Sequence, residues 1–207
     1  FTSHIVSFNM GGLAGYSHVK AFIKRTNPAI IGLQELKIKS LSNKSRKFTP
    51  PKGYQLVLTD KPSPTQGYYD VAFLIRNGID FSPLPTYASE TSNVGIAIKT
   101  NTFTIHIHNL YARQKELDTR LLDKLQHTHN QVLLLGDLNA RHIELLPHTK
   151  ATPYNKNGKS LYDYLQQPHH LDWSIINEHS IDRFTRATDD SWSQIDLFLV
   201  NSFLFQW

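Results

Sequence analysis

The sequence lacks cysteine altogether and contains a single methionine among its 207 residues. Without cysteine, a disulfide framework, a Cys-ligated zinc site and an iron–sulfur cluster are excluded. No apolar run approaches the roughly 20 residues that a membrane-spanning helix needs. The start shows no basic segment followed by an apolar one, so no signal peptide is predicted, and it shows no initiator methionine, so we expect a piece of a longer chain.

The composition is that of one globular domain. Hydrophobic residues make up 40% of the chain and charged residues 19%, which is not the balance of a disordered polypeptide. The length suits a single domain over residues 1–207 with a core of its own. The net charge of +5 indicates a polyanionic partner.

Positive charge is concentrated in the first half of the chain. Residues 1–100 carry 12 Lys and Arg against 5 Asp and Glu, whereas residues 101–207 carry 10 against 12. Segment 37–52 contains six cations and no acid: Lys37, Lys39, Lys44, Arg46, Lys47 and Lys52. This segment is either an ordinary solvated loop or a surface that contacts nucleic-acid phosphates through Lys44, Arg46 and Lys47.

Short β-rich runs bounded by Gly, Pro or Asn dominate the chain. The predicted strands are 4–9, 29–33, 54–58, 69–75, 94–99, 103–110, 131–135 and 195–200. Helices are predicted over 17–25 with Ser17 as the N-cap, within 115–127, and briefly after Gly158. The Asn77-Gly78 pair predicts a hairpin turn. Many strands with few helices favour an α/β sandwich of two packed sheets with the helices outside.

Polar side chains recur where the predicted strands end or begin. Seven residues share this placement: Asn9, Glu35, Asn109, Tyr111, Asp137, Asn139 and Asp196. One acid in such a place is commonly a turn or cap residue, but a whole set is better explained as a site built where strand ends converge on one sheet edge.

These groups suit metal-assisted hydrolysis of a phosphodiester. Hard oxygen ligands without cysteine favour Mg²⁺, with Mn²⁺ as the alternative. Such a cation polarises a phosphoryl oxygen and stabilises the leaving oxygen. Asp137 would take a proton from the attacking water or hold that water in line, and Asn139 would bond an equatorial phosphate oxygen.

Four segments resemble, in order, the motifs of the endonuclease/exonuclease/phosphatase superfamily, which includes apurinic/apyrimidinic endonucleases and DNase I-like nucleases. They are Ser7-Phe8-Asn9-Met10, Gly32-Leu33-Gln34-Glu35, Asn109-Leu110-Tyr111 and Gly136-Asp137-Leu138-Asn139-Ala140. Two later segments, Phe184-Thr185-Arg186 and Ser191-Trp192-Ser193-Gln194-Ile195-Asp196-Leu197, resemble the endonuclease domain of non-LTR (LINE-type) retrotransposons. The resemblance covers essentially the whole chain.

The resemblance implies a DNase I-like fold, an α/β two-layer β-sandwich flanked by helices, with the site at one edge. It implies that Glu35 is the main metal ligand with Asn9 alongside. Tyr111 would orient the phosphate or the catalytic Asp, Asp137 would position or deprotonate the water, and Asn139 would bind the scissile phosphate.

Further roles follow from the same resemblance. Asp196 would orient a catalytic histidine, and Thr185 would lie at the rim that faces DNA. Arg141, two residues after Asn139, and Asn109 are further candidate contacts to nucleic acid.

The implied activity is Mg²⁺-dependent nicking of one strand of double-stranded DNA, leaving a 3′-hydroxyl that primes reverse transcription. A reverse transcriptase domain in the same polypeptide, a nuclear site of action and no membrane partner are implied with it. The family pattern ends in a Ser-Asp-His motif, and the sequence stops at Trp207 without one. We therefore expect the last core strand to be missing and this chain as written to have little or no activity.

Three alternatives stay open. One is a non-catalytic relic that folds and binds DNA without cutting it. Another is a phosphatase of the same fold, against which the basic first half argues. The third is a zinc site at His106 and His108, which share a strand face. No third ligand follows at a spacing typical of zinc sites, so we expect two histidines packed against their neighbours instead.

Overall fold

A computed structural model describes residues 4–39, 48–64, 67–114, 117–145, 154–168, 173–177, 186–187, 192–193, 196–201 and 204. Two β-sheets pack face to face, with helices on their outer faces. The helices are α1 (Tyr16–Thr26), α2 (Thr119–Thr128) and α3 (Lys156–Leu165). The strands are β1 (Ile5–Asn9), β2 (Ile30–Gln34), β3 (Tyr54–Leu58), β4 (Ala72–Arg76), β5 (Ser82–Leu84), β6 (Ser92–Lys99), β7 (Thr104–Tyr111), β8 (Val132–Asp137), β9 (Trp173–Ile175), β10 (Arg186–Ala187), β11 (Trp192–Ser193) and β12 (Asp196–Asn201).

The strand order explains how polar groups reach one edge. The four-stranded sheet has the order β1-β2-β4-β3, with β1 and β2 parallel. The six-stranded sheet has the order β5-β6-β7-β8-β12-β9, with β7 and β8 parallel. The two-residue strands β10 and β11 pair with each other. The predicted fold, a two-layer β-sandwich flanked by helices, is confirmed.

The core forms three apolar layers, because the central strands are covered on both faces. On β8, Leu133 and Leu135 face the other sheet, whereas Val132 and Leu134 pack toward α2 and α3. Burial on both faces is why this strand reads as a continuous apolar run rather than an alternating one. None of the helices in the described ranges is long and apolar enough to cross a membrane.

The predicted cap of the first helix is wrong. Helix α1 begins at Tyr16 after Gly15, and Ser17 lies inside it with its hydroxyl donating to the carbonyl of Ala14. A Cβ at Gly15 would overlap the carbonyl of Met10, so the chain passes too close here for any other residue. Close backbone approach, rather than a side-chain cap, decides where this helix starts.

The Asn77-Gly78 pair forms a turn but not the predicted hairpin. Gly78 has φ +90°, which suits a glycine turn. The next strand, β5, pairs with β6 in the other sheet. Since β4 is already paired with β2 and β3 on its two edges, no edge remains for a following strand, and the turn carries the chain across to the second sheet.

A cluster of three histidines lies on the outer face of the six-stranded sheet. His106 and His108 share a face of β7, and His129, just after α2, stacks on His106 with ring centroids 3.9 Å apart. His108 is fully buried, and its two ring nitrogens have no hydrogen-bond partner within the described ranges. Burial lowers the pKa of His108 to about 3 and that of His129 to about 4.

We expect acid to destabilise the fold through this cluster. A pKa below the ordinary value of about 6.5 means that the unfolded chain binds the proton first, so stability is lost as the pH falls below about 6.5. For His108 the loss between pH 7 and pH 5 is about 2 kcal/mol. Urea unfolding should therefore show a smaller pH dependence for His108→Leu than for the unaltered protein. His127→Gln, at an exposed helix position, is the control, and an equal pH dependence in all three proteins would contradict the expectation.

Candidate active site

Strand register brings the predicted polar residues to one edge of the sandwich. Parallel pairing with β2 places Asn9 at the end of β1 beside the point where Glu35 follows β2. In the second sheet, parallel pairing places Tyr111 opposite Asp137, and antiparallel pairing places Asp196 opposite the same Asp137. Five of the residues that the sequence indicated thus come from five strands and meet at one edge: Asn9, Glu35, Tyr111, Asp137 and Asp196.

A single amide joins the acids of the two sheets. Asn9 Nδ2 donates to Glu35 Oε1 at 3.1 Å and to Asp137 Oδ2 at 2.7 Å. Asn9 Oδ1 accepts from the backbone N–H of Gly11 at 2.9 Å. Because Asn9 and Glu35 belong to one sheet and Asp137 to the other, this amide spans the seam between the sheets.

Glu35 is held as a carboxylate. Burial alone would raise the pKa of Glu35, but hydrogen bonds from Lys37 and Asn9 and the charge of Lys37 outweigh it, so the pKa lies below its ordinary value. Lys37 Nζ is 2.7 Å from Glu35 Oε2. Glu35 also has φ +54°, a backbone conformation that a Glu rarely adopts and that is found mainly at functional positions.

The pKa of Asp137 is shifted in the opposite direction to that of Glu35. Burial, together with the nearby charge of Asp196, raises the pKa of Asp137 to about 7 against the hydrogen bonds that it accepts. One of those bonds comes from the backbone N–H of Asn139, at 2.8 Å from Asp137 Oδ1. A carboxyl with a pKa near neutrality exchanges its proton under ordinary conditions, as a general base must.

Asn139 lies on the loop that leaves β8. Its backbone has φ +46°, and its Nδ2 donates to the carbonyl of Ala112 at 3.0 Å. The carbonyl of Asn139 accepts from Asn155 Nδ2 at 2.6 Å, and Asn155 Oδ1 accepts from the backbone N–H of Arg141 at 3.0 Å. Sequence reasoning missed Asn155; the signal was its position three residues before Gly158, where it caps α3.

Tyr111 and an ion pair that the sequence did not reveal complete the edge. Burial raises the pKa of Tyr111, and the charges of Glu35 and Asp137 add to the effect, so its hydroxyl stays a proton donor at neutral pH. Arg113 Nη2 lies 2.8 Å from Oδ2 of the fully buried Asp70, and its guanidinium carbon is 5.9 Å from the centre of the Tyr111 ring. The pair joins the two sheets beside Tyr111.

Asn109 is not exposed at the surface, where a residue that contacts nucleic acid must lie. Its side chain is fully buried between the sheets, where Nδ2 donates to the carbonyls of Leu33 and Ala72 at 2.9 and 2.8 Å. Its Oδ1 accepts from Gln34 Nε2 at 2.7 Å. Gly32 makes the room, since a Cβ there would lie 3.1 Å from the Asn109 side chain. We therefore correct its assignment from a DNA contact to a bridge between the sheets.

Removing this bridge should destabilise the sandwich. Asn109→Ala leaves two backbone carbonyls and the Gln34 amide without their partner in a dry interface, which costs roughly 2–4 kcal/mol of unfolding free energy. Urea unfolding checks the expectation. Asn101→Ala, in the exposed turn before β7, is the matched control and should change stability by less than about 0.5 kcal/mol. Equal effects of the two variants would show that the bridge is not stabilising.

The donor set of this edge fits a hard divalent cation. Mg²⁺ is typically held by one or two carboxylates and keeps several waters. Glu35 supplies an ionised carboxylate with Asn9 beside it. The described ranges contain no group of three or more Asp, Glu and His side chains placed to hold a metal ion, at this edge or elsewhere, so water would fill the remaining positions around the cation. The oxygen of Asn9 is turned toward Gly11, so ligation by Asn9 requires its amide to rotate.

Some predicted contacts lie outside the described residues. These are Thr185 and the three loop cations Lys44, Arg46 and Lys47. Arg141 lies on the loop of Asn139, with its backbone tied to Asn155.

Comparison with known proteins decides the family. The family model described as the endonuclease/exonuclease/phosphatase family matches residues 6–206. The chain belongs to this family. A search of the curated proteins found no significant match.

Several solved structures have a fold similar to that of this chain. The endonuclease domain of TRAS1, a telomere-specific non-LTR retrotransposon, has 15% identity and a TM-score of 0.68, over 99% of this chain and 88% of that one. The apurinic/apyrimidinic endonuclease LMAP from Leishmania major has 16% identity and a TM-score of 0.68, over 98% and 80%. D. rerio TDP2, complexed with a single-stranded DNA product, has 13% identity and a TM-score of 0.60, over 96% and 83%. At these identities the likeness shows the shared DNase I-like fold.

Proposed function

We propose that this domain is a Mg²⁺-dependent DNA endonuclease that nicks one strand of double-stranded DNA. Hydrolysis leaves a 3′-hydroxyl, which primes reverse transcription by a reverse transcriptase domain of the same polypeptide in the nucleus. The observation that carries the proposal is the amide of Asn9, which is hydrogen-bonded to both Glu35 and Asp137 across the seam. It joins a carboxylate that suits a cation to a carboxyl that suits a proton transfer.

Each residue of the edge has a role in this reaction. Glu35, with Asn9, would hold the cation, which supplies polarisation of the phosphoryl oxygen and stabilisation of the leaving oxygen. Asp137 positions the attacking water and accepts its proton. The side-chain amide of Asn139 donates to an equatorial oxygen of the phosphate as charge develops there.

The remaining polar groups position Glu35, Asp137 and the DNA. The Tyr111 hydroxyl, a hydrogen-bond donor to Glu35, orients the carboxylate or the phosphate. Asp196, opposite Asp137, keeps the pKa of that carboxyl high. It would orient the histidine of the family's Ser-Asp-His motif, which the 207 residues do not include. Thr185 and Arg141 contact the DNA at the rim of the site.

Nicking of supercoiled plasmid by the protein in its full natural length tests the proposal. We expect open circles that form only with Mg²⁺ or Mn²⁺, and nicks that a DNA polymerase extends without prior treatment, because their 3′ ends carry hydroxyls. Hydrolysis of phosphoinositides with no cleavage of DNA would replace the proposal with a phosphatase. DNA binding without cleavage under any divalent cation would leave a non-catalytic relic.

The basic segment should contribute to DNA affinity through phosphate contacts. Each contact releases condensed counterions and adds about 0.9 to the log–log slope of affinity against salt. Changing Lys44, Arg46 and Lys47 together to Gln should therefore lower the slope by about three units. Fluorescence anisotropy at several salt concentrations measures it, with Lys99→Gln, at the exposed end of β6 away from the site, as the control. An unchanged slope would mean that the three side chains are only solvated.

A further inference from the structure

A stack of aromatic rings stands beside the loop that carries Asn139. The His142 ring lies 4.2 Å from that of Tyr162 at an interplanar angle of 6°, and the Tyr154 ring lies 5.7 Å from that of His142 at 22°. His142 is 8% exposed, whereas Tyr154 is 52% exposed. The stack therefore runs from a buried ring, His142, to an exposed one, Tyr154.

This stack coincides with the most exposed apolar surface. Within the described ranges, the two exposed large hydrophobic side chains are Tyr154, at 52%, and Ile143, at 46%. Tyr154 pairs with His142 in an isolated β-bridge, and Ile143 directly follows His142. Large apolar side chains exposed together mark a surface that another molecule covers.

The backbone ties this surface rigidly to the catalytic loop. Asn155, next to Tyr154, donates to the carbonyl of Asn139 at 2.6 Å and accepts from the backbone N–H of Arg141 at 3.0 Å. The N–H of Asn155 donates to the carbonyl of Arg141 at 3.0 Å. A Cβ at Gly158 would overlap the same carbonyl, so α3 also packs directly on this loop. A molecule that binds Tyr154 is therefore placed at a fixed distance from Asn139.

We propose that Tyr154, supported by the His142 and Tyr162 rings, stacks on a nucleobase or deoxyribose of the DNA beside the cleaved phosphate, with Ile143 completing the contact. The inference rests on the proposed function, since it names a determinant of how that same site holds its DNA. A nucleobase is the partner because every base offers a π-face to an exposed ring, and because the phosphate-binding residue Asn139 is on the adjoining loop. The Tyr154 ring, which already packs against His142, loses less freedom on binding than an unsupported side chain would.

Photo-crosslinking and binding affinity together test the contact. The probe is a short duplex in which 5-iodouracil replaces thymine, and mass spectrometry locates the crosslinked residue. We expect a crosslink on Tyr154. In fluorescence anisotropy, Tyr154→Ala should weaken binding roughly 5- to 100-fold, and Tyr154→Phe should bind within about twofold of the unaltered protein. The salt slope should not change, because stacking releases no counterions.

Each other outcome has a distinct meaning. If the unaltered protein binds and nicks DNA, but Tyr154→Ala binds as tightly and crosslinks fall elsewhere, the stacking contact is overturned and the endonuclease stands. If the unaltered protein neither binds nor nicks DNA, the proposed function itself fails. Should Tyr154→Ala lose its circular-dichroism signal, Tyr154→Leu keeps apolar cover on His142 without the ring, and wild-type affinity in that variant would equally overturn the contact.

Discussion

Replacing Glu35 by Gln should lower the rate of Mg²⁺-dependent nicking by at least about a thousandfold while the protein stays folded. The change removes the ionised carboxylate on which the proposed cation depends and keeps nearly the same volume. It also removes the partner of Lys37, which lies 2.7 Å from Glu35 Oε2. Plasmid nicking with Mg²⁺ measures the rate.

Cation binding can be followed separately from the rate. A cation that binds the folded state raises its melting temperature, so Mg²⁺ should raise the Tm of the unaltered protein and leave that of Glu35→Gln unchanged. Glu90→Gln, which changes an exposed Glu outside the site, should behave as the unaltered protein in both measurements. Wild-type nicking by Glu35→Gln would remove Glu35 from its role.

Replacing Asp137 by Asn should abolish nicking to a similar degree and should remove the pH dependence of stability that this carboxyl contributes. The variant cannot accept a proton from water, and losing a principal catalytic group costs several powers of ten in rate. Its stability relative to the unaltered protein should rise with pH, because the pKa of Asp137 is raised to about 7 and the native protein therefore keeps a proton that the unfolded chain releases near pH 4.

The sign of this effect gives a pH test. A raised pKa contributes stability that is present below pH 4 and is lost as the pH rises through about 7. The unfolding free energy of Asp137→Asn should therefore gain roughly 2–4 kcal/mol on that of the unaltered protein between pH 4 and pH 8. Asp80→Asn, at an exposed position after β4, should show no such gain. A difference in unfolding free energy between the variant and the unaltered protein that stays constant or falls as the pH rises would contradict the raised pKa.

The site could be predicted where the sequence shows the end of a strand. Asn9, Glu35 and Asp137 each follow an apolar run, and parallel or antiparallel pairing then carries such residues to a common edge. The fold class was predictable for the same reason, because short β-rich runs separated by few helices leave little besides a sandwich.

The sequence could not show the contacts that each sheet makes with the sheet facing it. Asn109 and Tyr111 are two residues apart and share a strand face, so period-two alternation treats them alike. Hydrogen bonds to Gln34, Leu33 and Ala72 of the other sheet make Asn109 a buried bridge. The pairing of Asp70 with Arg113 joins segments 43 residues apart and is likewise set by how the sheets pack.

Ring stacking between residues far apart in the chain could not be predicted from the sequence either. His106 and His108 were visible as a pair, but the third ring, His129, follows a helix whose docking no local pattern specifies. The ring stack of Tyr154 on His142 has the same origin, since an isolated bridge between the two segments creates it.

Anomalous diffraction from crystals of the protein grown with Mn²⁺ shows whether Glu35 holds a divalent cation, and it does not depend on turnover. We expect a bound Mn²⁺ within about 2.3 Å of a Glu35 carboxylate oxygen, at the edge shared with Asn9 and Asp137, and no such ion in crystals of Glu35→Gln. A Mn²⁺ bound elsewhere in the protein, with none at the Glu35 carboxylate, would contradict the proposed role of Glu35 as metal ligand.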